Sequence, residues 1–152
     1  MHERVNYAKA APGVVKTLLQ AHDYLQHCGL EHTLLDLMYL RVSQINGCAY
    51  CLDMHWKDLR AAGESEERLY MLAAWREASV YTDRERAALA WAESVTNVTD
   101  GHVPDAVYTI VREEFTDAEI ANLTFAVATI NSWNRLNIAL RREAGGYRPP
   151  AR

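Results

Sequence analysis

The chain has 152 residues, of which 49% are hydrophobic and 24% are charged. This balance is typical of a single globular domain, which we expect to span residues 1–152. Sixteen Lys and Arg residues against twenty Asp and Glu residues give a net charge of −4, which argues against a nucleic-acid-binding protein. No apolar run approaches the ~18 residues of a membrane span, and the N-terminus lacks a secretory hydrophobic region. We therefore expect a cytoplasmic protein that does not associate with membranes.

Hydrophobic periodicity along the chain is helical nearly everywhere, and no segment alternates apolar and polar residues over the length of a strand. In chain order, the pattern predicts helices over residues 14–25, 33–44, 48–62, a short stretch after 65, 82–95, 104–115 and 116–142. Two of these helices begin with a capping box, formed by Thr82 with Glu85 and by Thr116 with Glu119. The turn-rich tail, residues 145–152, is expected to be loose or docked. The predicted fold class is an all-α helical bundle without a β-sheet.

The most informative segment is residues 48–55, Cys-Ala-Tyr-Cys-Leu-Asp-Met-His. On a helix, three positions separate Cys48 from Cys51 and four separate Cys51 from His55, so both sulfurs and the imidazole share one face. The break at Gly47 places Cys48 in the first turn, where unpaired N–H groups and the helix dipole lower the pKa of a thiol. His55 could accept a thiol proton as a base or stabilise a thiolate as an imidazolium. The segment therefore predicts dithiol redox chemistry.

Two other interpretations of this pattern stay open at the level of residue spacing. A cysteine is often a small buried hydrophobic residue, and the C-x-x-C spacing also suits a zinc knuckle. A structural zinc ion needs four ligands, and the candidates outside the segment are Cys28, His27 and His32, with no second paired knuckle. We interpret Cys28 as a bystander at a helix end, and we expect neither a metal nor a cofactor.

Three asparagines recur at a three-residue spacing on the last predicted helix: Asn131, Asn134 and Asn137. They are polar among apolar neighbours. This pattern is consistent with a hydrogen-bonded interface seam, with a wall of the site or with a solvated face, and the sequence does not decide between them.

Residues 41–55, Arg-Val-Ser-Gln-Ile-Asn-Gly-Cys-Ala-Tyr-Cys-Leu-Asp-Met-His, resemble the signature of the alkylhydroperoxidase D-like (AhpD-like) family, within the carboxymuconolactone decarboxylase superfamily. The likeness extends over most of the chain, through residues 57–64, 75–78, 84–93 and 130–135. The C-x-x-C-x-x-x-H core, with Gln-Ile-Asn-Gly before it and helices around it, makes this a specific pattern. The resemblance implies the helical fold of that family.

The resemblance also implies a role for each site residue. Cys51, which is next to the histidine, would be the peroxidatic cysteine, Cys48 the resolving cysteine and His55 a member of the proton relay. The family carries a glutamate twelve residues before the first motif cysteine. This chain has Asp36 there, which keeps the charge on a side chain shorter by roughly 1.5 Å. Asp36 also suits a capping box with Thr33, so the relay and the cap both remain open.

The activity that the resemblance implies is a thiol-dependent peroxidase that reduces alkyl or organic hydroperoxides through a dithiol–disulfide cycle, as in antioxidant defence. Its partners would be a small-molecule hydroperoxide and an external thiol/disulfide reductant. Homo-oligomers built from trimers, commonly hexamers, are expected. The alternatives are a carboxymuconolactone decarboxylase-like lyase, which would not depend on a C-x-x-C pair, and a non-enzymatic redox-sensing or metal-binding protein.

Overall fold

The computed structural model describes residues 2–150, and within this range the regular elements are helices without any strand. In chain order the α-helices are α1 (Tyr7–Ala10), α2 (Pro12–Gln26), α3 (His32–Asn46), α4 (Ala49–Ala61), α5 (Glu66–Met71), α6 (Asp83–Thr96), α7 (Asp105–Glu114) and α8 (Asp117–Leu140). A short 3₁₀ turn, Leu72–Ala74, follows α5. The predicted all-α fold class is confirmed. No helix in the described range is long and apolar enough to cross a membrane.

Helix α3 is the central element, since it contacts α4, α6 and α8. Its side chains are buried on both sides. Leu35, Met38 and Val42 belong to one hydrophobic cluster, while Leu37 and Leu40 belong to a second. A helix that is hydrophobic nearly all round is stable only when other elements enclose it. Helix α3 is therefore a rigid support for the residues that it presents to α4 and α8.

The turn between α3 and α4 fixes the position of the C-x-x-C segment. Gly47 adopts a left-handed conformation, with φ of 69° and ψ of 34°, which residues with a Cβ adopt only with strain. Its N–H donates to the carbonyl of Gln44, and the N–H of Cys48 donates to the carbonyl of Ser43, so α3 ends in a Schellman motif. The sequence predicted Cys48 in the first turn of α4, and this prediction is wrong by one residue. Cys48 is the N-cap of α4, and its N–H bonds to the end of α3.

Both predicted capping boxes are present. At the start of α6, Thr82 accepts from the N–H of Glu85 and Glu85 accepts from the N–H of Thr82; Thr116 and Glu119 do the same for α8. Helix α8 ends at Leu140, two residues before its predicted end. The four-residue α1 was not predicted, because one helical turn is too short to show periodicity.

The start of α3 changes the interpretation of Asp36. The N-cap is Glu31, and no side chain caps this helix. Thr33 and Asp36 therefore lie inside the helix, and the capping-box interpretation of Asp36 is wrong. Its side chain lies instead at the contact with α4, where it is 23% exposed and faces His55.

Candidate active site

The two motif cysteines lie together at the start of α4. Cys48 and Cys51 are each 1% exposed, both are free thiols, and their sulfurs lie 2.8 Å apart. A disulfide bond is about 2.05 Å long, so a small movement would join them. Cys51 lies in the first turn of α4, where the positive end of the helix dipole favours negative charge. This arrangement can form and break a disulfide without rearranging the helix.

The Cys51 sulfur is surrounded by hydrogen-bond donors. The Cys48 thiol donates to it at 2.8 Å, and Asn137 Nδ2 donates to it from α8 at 3.2 Å. The polar groups of Asn134 and Ser43 also favour negative charge on this sulfur, and Asn134 Nδ2 donates to the Ser43 hydroxyl at 3.1 Å. Hydrogen bonds that favour the charged form of a group stabilise that form. Of the three asparagines on α8, Asn137 thus belongs to the wall of the site, one of the alternatives that the sequence had left open, whereas Asn131 accepts a hydrogen bond from Asn46 at the end of α3.

These contacts separate the pKa values of the two thiols. The hydrogen bond from Cys48 contributes most to lowering the pKa of Cys51 to about 7; burial opposes it, and Asn137, Asn134 and Ser43 reinforce it. The pKa of Cys48 is raised well above its usual value, first because its proton is held in the bond to Cys51 and second because the sulfur is buried. Near neutral pH Cys48 therefore keeps its proton, whereas about half of the Cys51 population is the nucleophilic thiolate.

His55 is 5% exposed, and neither ring nitrogen has a hydrogen-bond partner within residues 2–150. Burial lowers the pKa of His55 to about 3, with a smaller contribution from the charge of His22. The imidazole is therefore neutral at physiological pH, which favours a base over the imidazolium that the sequence also allowed. Its Nδ1 lies 3.8 Å from Asp36 Oδ1 across the contact between α3 and α4, a separation too long for a direct hydrogen bond.

A cavity of about 330 Å³ opens onto this cluster. Of the two motif cysteines, Cys51 is among the described residues that line it and Cys48 is not. The other lining residues are mostly aromatic or aliphatic and include Leu19, Tyr50, Met54, Ile130 and Trp133. A largely apolar cavity of this size, with a few polar groups converging on it, is typical of a small-molecule site.

Two of the polar groups at the cavity wall are buried without a hydrogen-bond partner in the described part of the chain. They are the hydroxyl of Tyr39, which is 3% exposed, and the imidazole of His55, whose ring centroid lies 5.2 Å from that of Tyr39. Burial raises the pKa of Tyr39, so its hydroxyl keeps its proton and can donate it in a hydrogen bond. Burying such groups without partners is costly, and the oxygen atoms of a small ligand would satisfy them.

The structure adds two residues that the sequence did not single out. Arg142 Nη1 donates to the Tyr7 hydroxyl at 2.9 Å, and that hydroxyl donates to Asn137 Oδ1 at 2.8 Å. The Arg142 guanidinium also lies 4.3 Å from the centre of the Tyr50 ring, a cation–π contact. Tyr7 and Arg142 lie near opposite ends of the chain, outside any motif, so no sequence signal linked them to the cysteines.

The segment after α8 docks onto α4. The Tyr147 hydroxyl donates to Asp58 Oδ1 at 2.7 Å, and Lys57 Nζ donates to the Tyr147 carbonyl at 3.1 Å. The N–H of Gly145 donates to Asp53 Oδ2 at 3.1 Å, and Asp53 also pairs with Lys57. These bonds hold Tyr147 in the wall of the cavity.

The remaining candidates from the sequence lie outside this cluster. Cys28 is half-buried, and its thiol donates to the Leu25 carbonyl at 3.1 Å. His27 and His32 each bond to a nearby backbone carbonyl. Across residues 2–150, no three His, Cys, Asp or Glu side chains are grouped so that they could hold a metal ion.

Comparison with known proteins shows the family of this chain. The carboxymuconolactone decarboxylase family model matches residues 12–94, which include both motif cysteines, His55 and Asp36. This chain belongs to the carboxymuconolactone decarboxylase family. An uncharacterized family relative, YdfG of Bacillus subtilis strain 168, is 40% identical over 144 residues, which cover 95% of this chain and 98% of YdfG.

Further similarities place the chain among the AhpD-like proteins of this family. A crystal structure of a protein of unknown function from Agrobacterium tumefaciens, described as an AhpD antioxidant defence protein, has 41% sequence identity and a TM-score of 0.92. The match covers 96% of this chain and 100% of that one. Alkyl hydroperoxide reductase AhpD of Bradyrhizobium diazoefficiens is 40% identical over 47 residues, 31% of this chain and 26% of AhpD. The AhpD-like resemblance that the sequence motif indicated is confirmed.

Proposed function

We propose that this AhpD-like protein is a thiol-dependent peroxidase that reduces organic hydroperoxides, with Cys51 as the peroxidatic and Cys48 as the resolving cysteine. One observation carries the proposal. Cys51 is the sulfur whose pKa is lowered to about 7, and of the pair it is also the one that lines the cavity. Membership of the AhpD-like proteins supports a peroxidase-like, antioxidant role at the level of the family.

In the first step, the Cys51 thiolate attacks the distal oxygen of the hydroperoxide. An S–O bond forms as the O–O bond breaks, so the sulfur becomes a sulfenic acid and the alkoxide leaves with the electron pair. The alkoxide then takes one proton and departs as an alcohol. The sulfur loses two electrons, and the peroxide gains them.

The roles of His55 and Asp36 follow from the proton that this step requires. Neutral His55, with Asp36 3.8 Å away, accepts the proton of the Cys51 thiol and returns it to the departing alkoxide. The same proton is therefore removed from sulfur and delivered to oxygen. Because burial lowers the pKa of His55, the imidazole is unprotonated before the step and holds an accepted proton only weakly, so it passes that proton on to the strongly basic alkoxide.

In the second step, the Cys48 sulfur attacks the sulfur of the sulfenic acid. An S–S bond forms, the S–O bond breaks, and the hydroxyl leaves as water with the proton from Cys48. The 2.8 Å separation of the sulfurs supports this step. An external dithiol then reduces the disulfide with two electrons and two protons, and is itself oxidised to a disulfide.

The cavity supports an organic substrate over hydrogen peroxide. Its volume of about 330 Å³ far exceeds that of hydrogen peroxide, and its walls are mostly aromatic or aliphatic. A hydroperoxide with an apolar body, such as cumene hydroperoxide, would bury that body there while its peroxide oxygens reach Cys51. A higher kcat/KM for cumene hydroperoxide than for hydrogen peroxide supports this preference, and the opposite order contradicts it.

The proposal is tested by replacing each cysteine in turn. Cys51→Ser is expected to abolish hydroperoxide consumption, whereas Cys48→Ser is expected to stop after one turnover with a sulfenic acid or a mixed disulfide on Cys51. Cys28→Ser is the matched control and is expected to keep full activity, because its thiol bonds only to a nearby carbonyl within the described chain. Full activity in Cys51→Ser would contradict the proposal.

We also propose a homo-oligomer built from trimers, as the family resemblance implies. Large apolar side chains are exposed on α2 and α8, among them Leu19, Tyr24, Phe125 and Ile138. Association would cover such side chains. Light scattering on the purified protein is expected to give the mass of three or six chains, and the mass of one chain would contradict this proposal.

A further inference from the structure

We infer that Arg142 and Tyr7 are positioning residues for Cys51, which they influence through Asn137 by a continuous chain of hydrogen bonds. The chain runs from Arg142 Nη1 to the Tyr7 hydroxyl at 2.9 Å, from that hydroxyl to Asn137 Oδ1 at 2.8 Å, and from Asn137 Nδ2 to the Cys51 sulfur at 3.2 Å. It joins both ends of the polypeptide to the redox pair. The inference rests on the proposed use of Cys51 as the attacking thiolate.

The chemistry of the first residue fixes the direction of every bond in this chain. A guanidinium can only donate, so the Tyr7 oxygen accepts from Arg142 and directs its own proton to Asn137. Asn137 must therefore present its carbonyl oxygen to Tyr7, which leaves its NH₂ group facing Cys51. Without the Tyr7 hydroxyl, this series of hydrogen bonds would no longer prevent the Asn137 side-chain amide from turning its oxygen toward the Cys51 sulfur. That orientation would repel a thiolate.

The positive charge of Arg142 can also polarise this series of hydrogen bonds as far as Cys51. Tyr7 and Asn137 are each 4% exposed, so the hydrogen bond between them is shielded from water. Burial raises the pKa of Tyr7, which keeps its proton available for donation. Successive bonds that point the same way polarise one another, and a surrounding of low dielectric strengthens each of them. The guanidinium thus strengthens the final N–H donor to the Cys51 sulfur.

The other groups around the sulfur do not supply this positive charge. The titratable and charged groups around the site come from every element packed against it. Those that line the cavity or contact Cys51 are Tyr7, His22, Tyr39, Cys48, Tyr50, His55, Asp58, Arg142 and Tyr147, and Asp36 lies behind them, facing His55. His55 is neutral because burial lowers its pKa to about 3, and burial also lowers the pKa of His22. Arg142 is the permanent cation of this set.

The test measures the ionisation of Cys51 without any peroxide. The fully reduced protein is alkylated with iodoacetamide between pH 5 and 9.5, and modification of Cys51 is quantified by peptide fragmentation in a mass spectrometer. Tyr7→Phe removes one hydroxyl, and Arg142→Met removes the charge at similar length. Each is expected to raise the pH midpoint for Cys51 by about one pH unit, which lowers its alkylation rate at pH 7 about fivefold.

The matched control is Tyr24→Phe. Tyr24 also donates its hydroxyl to an asparagine, Asn122, at 2.9 Å, but this pair is exposed between α2 and α8 and has no bond to the cysteines. We expect Tyr24→Phe to leave the pH midpoint for the alkylation of Cys51 unchanged. Arg142→Lys keeps a charged donor-only group and is expected to give a midpoint between those of the wild type and Arg142→Met.

The outcomes separate positioning from a merely structural role. A midpoint that stays within about 0.2 pH unit of the wild type in both Tyr7→Phe and Arg142→Met overturns the inference, whatever happens to thermal stability. A raised midpoint in variants that keep the wild-type circular dichroism spectrum supports it. Because alkylation requires no hydroperoxide, a protein that fails to consume peroxide refutes the proposed function and leaves this measurement intact.

Discussion

Asp36 on α3 and His55 on α4 face each other across the helix contact, with Oδ1 and Nδ1 3.8 Å apart. A direct hydrogen bond between these atoms would be about 2.7–3.2 Å long. The AhpD-like pattern has a glutamate at this position, and the aspartate side chain is shorter by one methylene. The shorter side chain explains why the observed distance exceeds that of a hydrogen bond. A proton can pass between the two groups only when the helices or side chains close this gap.

The first prediction concerns Asp36. Asp36→Asn removes the proton-accepting carboxylate and is expected to lower kcat/KM for a hydroperoxide about 100-fold, within the range of general acid–base catalysis. Asp36→Glu adds one methylene, closes the gap to His55 and is expected to retain or exceed the wild-type rate. The measurement is the initial rate of hydroperoxide loss. Wild-type activity in Asp36→Asn would show that the carboxylate takes no part.

The second prediction concerns the pH dependence of peroxide reduction. Since the pKa of Cys51 is lowered to about 7, the thiolate fraction rises as the pH rises through that value. We expect kcat/KM to increase about tenfold per pH unit below the midpoint and to level off above pH 8. Stopped-flow rates across pH 5.5–9 test this. A rate that is constant from pH 6 to 8 contradicts an attacking thiolate with this pKa.

The third prediction concerns the stability of the fold in acid. The folded protein holds His55 neutral down to about pH 3, whereas the unfolded chain binds a proton there below its ordinary pKa of 6.5. Stability from this residue is therefore complete above pH 6.5 and is lost as the pH falls toward 3. Between these pH values, the free energy of unfolding is expected to fall by about 1.4 kcal/mol for each pH unit.

Urea unfolding at pH 4.5, 5.5 and 6.5 measures this slope. His55→Leu is expected to flatten it, because no imidazole remains to be protonated. His27→Gln is the matched control, since His27 lies on the surface with its side chain 77% exposed, and it should retain the wild-type slope. An equal slope in all three proteins would mean that other groups cause the loss of stability in acid.

The fourth prediction concerns Tyr39, whose hydroxyl is buried at the cavity wall without a partner in the described chain. Tyr39→Phe removes a buried polar group that makes no hydrogen bond within residues 2–150, so the thermal midpoint is expected to stay the same or rise. Turnover is expected to fall about tenfold, because the hydroxyl no longer donates to the oxygens of the bound hydroperoxide. Unchanged turnover in Tyr39→Phe would show that the hydroxyl takes no part in catalysis and that Tyr39 serves only to pack the core.

The sequence was most informative where chemistry and local geometry coincide. The i, i+3 and i, i+4 spacing in residues 48–55 predicted that both sulfurs lie on one face, and in the structure the two sulfurs are 2.8 Å apart. The capping boxes at Thr82 and Thr116 also start helices where the pattern predicted. These features depend on a few neighbouring residues, which a single sequence displays directly.

What the sequence could not predict depends on tertiary contacts. Asp36 looked like a possible helix cap, and only the observed start of α3 at His32 excludes that role. Asn137 was noticed for its spacing, but its bond to Cys51 depends on how α8 crosses α4. Tyr7 and Arg142 carried no signal at all, because a hydrogen bond between the two ends of a chain leaves no local periodicity.

The position of Cys51 in the cavity wall has a kinetic consequence. Of the two motif cysteines, Cys51 lines the cavity and Cys48 does not, so an oxidant and a reducing thiol that both enter this cavity approach the same sulfur atom. They cannot occupy it together. Turnover would then alternate between two half-reactions, in which each product departs before the other reactant enters. Such a ping-pong mechanism gives parallel double-reciprocal plots, and an excess of either reactant slows the other half of the cycle.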